Sequence, residues 1–229
     1  MKLNIKELLD FFDDARDSRK GDANALIAMF GEELNASVYK HFKKDKVEIL
    51  PDSVLPGTKK GKRLDRWIFD KKAKKLYQCE IKNWAATAIG GKRLKLDANN
   101  EEIKEVIDHY WKRELNRRFS KEVEHPNGVS KVLLKMKLPK GYSDVKKVEP
   151  LLIYWMPISL DKKGLNPFSV IPIKSLHVRI KTTFLKLYIF SVSLYLRQLY
   201  KNGKGQKFID LDMSHLDRRI KILNKLQNK

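Results

Sequence analysis

The chain has 229 residues, of which 42% are hydrophobic, and it carries 49 lysine and arginine residues against 28 aspartate and glutamate residues. Its length suffices for one sizeable core, and its single cysteine, Cys79, excludes a disulfide framework and a cysteine-rich zinc site. The formal charge of +21 indicates a polyanionic partner, and nucleic acid is the favoured one. A lysine-rich source proteome would also raise this charge.

The first elements predicted along the chain are two helices. The segment up to about Lys20 has an amphipathic helical pattern that Gly21 closes, and Asp22 can cap a second helix. Glu33 lies at the margin of the apolar stripe of this second helix, whereas Glu32 points away from the stripe. A carboxylate at that margin belongs either to a solvated rim or to a cleft. The stripe itself consists of Leu26, Ile27, Phe30, Leu34 and Val38.

Three strands follow in the pattern of a meander. Residues 46–50, 64–70 and 75–84 are rich in β-branched and aromatic side chains, and a short lysine-rich turn separates the second from the third. Residues 51–63 and 85–100 combine glycine with lysine and arginine, which predicts two basic loops.

The rest of the chain alternates between helices and strands. Acidic residues at its start and basic residues at its end predict a helix over 101–120, and a continuous apolar run between two prolines predicts a buried strand over 151–156. The remaining predictions, in order, are a strand over 168–173, a buried helix over 183–200, a short strand over 208–211 and a last basic helix from residue 214. The β-branched and aromatic content of 183–200 also suits a strand, but its length and the closing residues 201–203 favour the helix. No segment is apolar enough for a membrane span or a signal peptide, so we expect a soluble, cytoplasmic protein.

One short pattern carries the chemistry. An acidic residue two positions before a lysine occurs five times in the chain, so the pattern alone says little. Only Glu80 and Lys82 lie inside an apolar strand, where a period of two places both on one face. Asp65, fifteen residues earlier, would lie beside Glu80 if the two strands pair. Buried opposite charges call for pairing or a bound ion, and a plain ion pair between Glu80 and Lys82 is the alternative.

In this arrangement the chain resembles the PD-(D/E)XK nuclease superfamily, which has the restriction endonuclease-like fold. The resemblance covers about residues 22–156, in the order αβββαβ, and Leu64 stands where the family name has proline. It implies an α/β fold with a mixed central β-sheet flanked by helices and helical additions at both ends. We therefore expect a single nuclease domain over 1–229, with a C-terminal elaboration from about 158 that matches nothing in the family.

The resemblance also implies roles for particular residues. Asp65, Glu80 and the backbone carbonyl of Ile81 would bind Mg²⁺ or Mn²⁺, and Lys82 would orient the attacking water and stabilise charge on the phosphoryl oxygens. Glu33 would hold a second ion or a water. The implied activity is metal-dependent hydrolysis of phosphodiester bonds by a DNA endonuclease.

The basic loops are the predicted contacts to the nucleic-acid backbone. Their residues are Lys59, Lys60, Lys62, Arg63, Lys92, Arg93 and Lys95. DNA is favoured over RNA as the partner, and a homodimer would supply the two active sites that cutting both strands of a duplex requires. The alternative function is a basic nucleic-acid-binding module on the same fold that does not cleave its ligand.

Overall fold

The structure is a computed structural model that describes residues 1–13, 22–51, 64–83, 94–108, 119, 129–161, 165–178, 181–202 and 207–214, with side chains from residue 30 onward in the second helix. Its elements, in chain order, are β1 (Lys2–Asn4), α1 (Ile5–Asp13), α2 (Asp22–Phe42), β2 (Val47–Ile49), β3 (Arg66–Asp70), β4 (Lys75–Lys82), α3 (Asn100–Val106), a 3₁₀ helix (Val129–Leu133), β5 (Lys147–Tyr154), β6 (Phe168–Pro172), a second 3₁₀ turn (Ile173–Ser175), β7 (Lys186–Ser191), α4 (Val192–Asn202) and β8 (Phe208–Asp210).

Six of the strands form one mixed sheet in the order β2-β3-β4-β5-β7-β6. β2, β3 and β4 make the predicted antiparallel meander, β4, β5 and β7 run parallel, and β6 closes the far edge antiparallel to β7. β1 and β8 form a separate antiparallel pair. The predicted α/β class, with a mixed central sheet flanked by helices, is confirmed.

The two faces of β4 have different surroundings because its side chains alternate. Tyr77, Cys79 and Ile81 are buried in the main core with α1, α2 and α4. Leu76, Gln78 and Glu80 face the other way and are also buried. On that face the 3₁₀ helix Val129–Leu133 contacts both β4 and β5. A strand covered on both faces gives the near-continuous burial that β4 has.

The predicted helix over 183–200 is wrong in its first half. Residues 186–191 form β7, and α4 begins directly after Ser191. The hydroxyl of Ser191 accepts a hydrogen bond from the N–H of Leu194 at 3.4 Å and donates one to the carbonyl of Met156 at 2.8 Å. Ser191 therefore ends the strand and caps the helix, since a serine oxygen can replace a missing helical acceptor. The C-terminal part thus adds two strands to the sheet as well as a helix.

Other predicted elements differ in detail. Pro150 lies inside β5 and does not bound it, and Phe30 of the predicted apolar stripe is 42% exposed. Leu34 and Val38 are buried as expected. α3 begins at Asn100, within one residue of the predicted helix over 101–120, and the predictions for 14–20, 52–63, 84–93, 109–118, 120 and 215–229 lie outside the described residues. None of the described helices has the length and apolar content that a membrane span requires.

A buried ion pair connects α1 and α4. Arg197 donates to the carboxylate of Asp13 at 2.9 Å, and the indole N–H of Trp155 donates to the same carboxylate at 2.8 Å. Arg197 also donates to the carbonyls of Leu94 at 2.9 Å and Lys95 at 2.5 Å. Both charged side chains are at most 10% exposed. This network fixes the segment before α3 against the core.

Candidate active site at the end of β4

Asp65 is held against β4 by two hydrogen bonds from the end of the hairpin. Its N–H donates to the carbonyl of Cys79 at 3.2 Å, and its carboxylate Oδ2 accepts from the N–H of Ile81 at 2.7 Å. Arg66, the next residue, pairs with Cys79 in the antiparallel register. The strand pairing therefore places Asp65 next to Glu80, as the sequence predicts.

Lys82 joins the two carboxylates on the same side of β4. Its Nζ lies 2.5 Å from Glu80 Oε1 and 4.0 Å from Asp65 Oδ2. The side chain of Glu80 is fully buried, while those of Asp65 and Lys82 are 14% and 13% exposed. The structure thus brings together Asp65, Glu80 and Lys82, with solvent reaching the outer two.

A second lysine, Lys131, completes the cluster from the 3₁₀ helix. Its Nζ lies 2.8 Å from Glu80 Oε2 and 3.4 Å from Asp65 Oδ1. Gln78 donates to the carbonyls of Val132 and, at 2.8 Å, Leu134, which holds this helix on the face of β4 that carries Glu80. Lys131 was not predicted, because one lysine among 49 basic residues, far along the chain, leaves no local signal.

Burial and charge oppose each other at this cluster. Burial, together with the nearby charge of Asp65, raises the pKa of Glu80 to about 7, although Lys82 and Lys131 act to lower it. Burial alone would lower the pKa of Lys131, but the two carboxylates outweigh it and raise the pKa above its ordinary value. Glu80 is therefore poised to change protonation near neutral pH, while Lys131 stays a cation.

Glu33, the predicted helix acid, lies elsewhere. Its carboxylate forms a buried ion pair with Arg66, and the two side chains are only 2% and 5% exposed. Because Arg66 pairs with Cys79, its side chain projects to the α2 face of the sheet, opposite to Glu80. Arg66 Nη1 also donates to the carbonyl of Asp65 at 2.7 Å. Within the part of the chain that the structure describes, Glu33 is connected to the site through Arg66 and the backbone carbonyl of Asp65.

Glu32, the neighbouring residue, is the helix carboxylate whose pKa responds to the charges of the site. It is partly buried, and its pKa is raised by burial and then by the charge of Asp65, while Arg66, Lys82 and Lys131 act to lower it. Interactions of this kind require proximity. The helical pattern held no signal for this position, since it places Glu32 facing away from the apolar stripe and Glu33 at its margin.

Close packing brings α2 to the end of β4. A Cβ on Gly31 would come within 2.1 Å of the side-chain nitrogen of Asn83, the residue after Lys82, so the missing side chain makes room for this contact. Asn83 Oδ1 accepts a hydrogen bond from Asn35 at 3.2 Å. Glu32 follows directly in α2 and is carried to the same end of the sheet.

The oxygen atoms at this site suit a hard divalent cation. Among the described residues there is no group of three or more histidine, cysteine, aspartate or glutamate side chains that could hold a metal. Asp65 and Glu80 supply two carboxylates. The N–H of Ile81 faces Asp65 and the carbonyl of Lys82 faces β5, so the carbonyl of Ile81 points to the Asp65 side. Two carboxylates and a carbonyl fit Mg²⁺, which commonly takes its other ligands from water and substrate phosphates.

Most of the predicted nucleic-acid contacts lie outside the described residues: Lys59, Lys60, Lys62, Arg63, Lys92 and Arg93. Lys95 is described and is exposed, with its backbone carbonyl bound by Arg197. Comparisons of the chain with protein-family models, with curated proteins and with solved structures found no significant match.

Proposed function

We propose that the chain is a Mg²⁺-dependent nuclease of the PD-(D/E)XK type that hydrolyses phosphodiester bonds, most readily those of DNA. One observation carries the proposal: Asp65 and Glu80 both have a carboxylate oxygen within 4.0 Å of the Lys82 ammonium, at the end of a buried central strand. The order of α2, β2, β3, β4, α3 and β5 supports it, since it is the αβββαβ order of that superfamily.

A divalent ion, when bound, supplies a Lewis acid and lowers the pKa of water, so that a nucleophile forms at neutral pH. Asp65, Glu80 and the carbonyl of Ile81 would hold it. In the structure the two carboxylates share the ammonium groups of Lys82 and Lys131, so they already face a common cation. That arrangement supports the fit, because a cation between them relieves the repulsion of two close carboxylates.

Two lysines and one glutamate act on the phosphate and on water. Lys82, which is partly exposed, donates to the phosphoryl oxygens and stabilises their charge as it increases in the transition state. Lys131 adds a second positive charge from the 3₁₀ helix and keeps Glu80 and Asp65 in place. Glu32, at the rim, accepts a hydrogen bond from water and helps to orient it, the role first assigned to Glu33.

The alternative function is a basic nucleic-acid-binding module that does not cleave. A specific observation favours it: Lys82 and Lys131 provide two positive charges for the carboxylates of Asp65 and Glu80, so these four groups balance without a metal when both carboxylates are ionised. A cluster of this kind could serve as a buried structural network.

Cleavage assays distinguish the two functions. Plasmid DNA, linear duplex, single-stranded DNA and RNA are incubated with wild type, Glu80→Ala and Glu48→Ala in Mg²⁺, Mn²⁺ or EDTA. Glu48 is a matched control because its carboxylate is 46% exposed in a surface pair with Lys71. We expect metal-dependent cleavage by wild type and Glu48→Ala, and a loss of at least about 100-fold in Glu80→Ala. Binding of the nucleic acids without cleavage in any metal, by correctly folded wild type, would instead establish the binding module.

A further inference from the structure

A second basic site lies at the other end of β3 from Asp65. It is a cleft of about 570 Å³ between the end of α2, the turn that joins β3 to β4, and the start of β6. Four lysines line it, which we call the lysine cleft: Lys43, Lys44, Lys46 and Lys72. It contains none of the residues of the candidate active site.

The lysine cleft has almost no opposing charge. Among the described residues that line the cleft, Asp70 is the one acidic residue, and its Oδ1 accepts a hydrogen bond from the N–H of Ala73 at 2.8 Å. Asp70 thereby shapes the turn after β3. Within the part of the chain that the structure describes, none of the four ammonium groups has a carboxylate oxygen within 4.0 Å. The cleft therefore carries an excess of positive charge that an anion would neutralise.

Lys43 is the innermost of these lysines and sits against aromatic rings. Its Nζ lies 4.7 Å from the ring centre of Phe168 and 5.8 Å from that of Tyr39. Burial lowers the pKa of Lys43, and Lys46 adds to the lowering while Asp70 opposes it. A cation that is partly removed from water and repelled by a neighbour gains more from an anionic ligand than a fully solvated lysine does.

The dipole of α2 explains only part of the cluster. α2 ends at Phe42, and cations just beyond a helix C-terminus are stabilised by the partial negative charge there. That effect can account for Lys43 and Lys44. It does not account for Lys72, which comes from the turn after β3, or for Lys46, which leads into β2. The lysines come from two separate segments, residues 43–46 and the turn after β3, and their convergence on one cleft points to a ligand site.

We propose that the lysine cleft binds a phosphoryl group of a nucleic-acid strand, as a contact separate from the site of cleavage. The choice of nucleic acid as the ligand rests on the proposed function. The cleft and Asp65 lie at opposite ends of β3, about 17 Å apart along the strand. That length equals the axial rise of about five base pairs. The cleft contributes to binding energy and position and takes no part in the chemistry.

The test measures binding without cleavage. Wild type, Lys46→Gln/Lys72→Gln and the control Lys6→Gln/Lys207→Gln are titrated in EDTA with a fluorescent DNA 20-mer, by anisotropy, at several salt concentrations. All four lysines are exposed, so both double variants remove two surface charges with little risk to folding. A lysine that contacts a phosphate contributes about one to the slope of log Kd against log salt concentration.

We expect the slope to fall by about two in the cleft variant and to stay at the wild-type value in the control. An unchanged slope in the cleft variant, beside normal wild-type binding, would overturn the proposal and leave the nuclease proposal intact. A second arm uses a fluorescent mononucleotide: if its binding, and not that of the strand, is lost in the cleft variant, the occupant is a free nucleotide and the strand contact is refuted. Failure of wild type to bind any nucleic acid would overturn both proposals. Loss of cleavage in Glu80→Ala, at an unchanged slope of log Kd against log salt concentration, would support the active-site assignment and would not bear on the cleft.

Discussion

Replacing Glu80 by glutamine should stabilise the metal-free protein at alkaline pH. Burial and Asp65 raise the pKa of Glu80 from its ordinary value of 4.5 to about 7, so the folded state favours the protonated form. Glutamine imitates that form at every pH. A shift of this size corresponds to about 3 kcal/mol of folding free energy.

The direction of this pH dependence follows from the linkage between protonation and folding. Because the folded pKa is raised, the favourable contribution of protonated Glu80 is complete below pH 4.5 and is lost as the pH rises through 7. The free energy of unfolding of Glu80→Gln should therefore equal that of wild type at pH 4 and exceed it by about 3 kcal/mol at pH 8.5.

Urea unfolding in EDTA at pH 4, 6 and 8.5 measures this difference. Glu48→Gln is the control, since a substitution at an exposed surface pair should change stability by less than about 1 kcal/mol at each pH. A difference between Glu80→Gln and wild type that does not grow with pH would refute the reasoning. Adding Mg²⁺ at pH 8.5 should raise the stability of wild type and not that of the variant, because ligand binding to the folded state stabilises it.

Three further predictions concern other charged groups. Lys131→Met should tighten Mn²⁺ binding by about tenfold in calorimetry, since it removes an ammonium that competes for the carboxylates; weaker binding would contradict this. Glu33→Gln should lower stability by about 3 kcal/mol in urea unfolding, because it breaks a buried ion pair, whereas Glu32→Gln should leave stability within about 1 kcal/mol and lower the rate of cleavage. The reverse pattern would return the catalytic assignment to Glu33. Asp13→Ala should cost about 3–5 kcal/mol by leaving Arg197 buried without its partner, and adding Arg197→Met should recover part of that loss in the same assay.

Local patterns in the sequence were enough to predict most strands of the sheet. The alternation along β4 gave the shared face of Glu80 and Lys82, and the spacing of two neighbouring strands gave the pairing that brings Asp65 beside them. Such features depend on a period of two and a short connection, which one sequence records. The run over 183–200 shows the limit of this reasoning, because apolar residues suit a buried strand and a buried helix equally well. Ser191 decides where one becomes the other through bonds to Met156 and Leu194.

The sequence alone determined the α/β class, the strand pairing around Asp65, Glu80 and Lys82, and the strong positive charge. Only the tertiary structure decided that Lys131 completes the cluster and that Glu33 forms an ion pair with Arg66. Both contacts join residues that are distant in the chain. It also brought Lys72 beside the three lysines of residues 43–46 in one cleft. Contacts of this kind leave no local periodicity, since they are fixed by how helices and turns pack on the sheet rather than by the spacing of residues within one element.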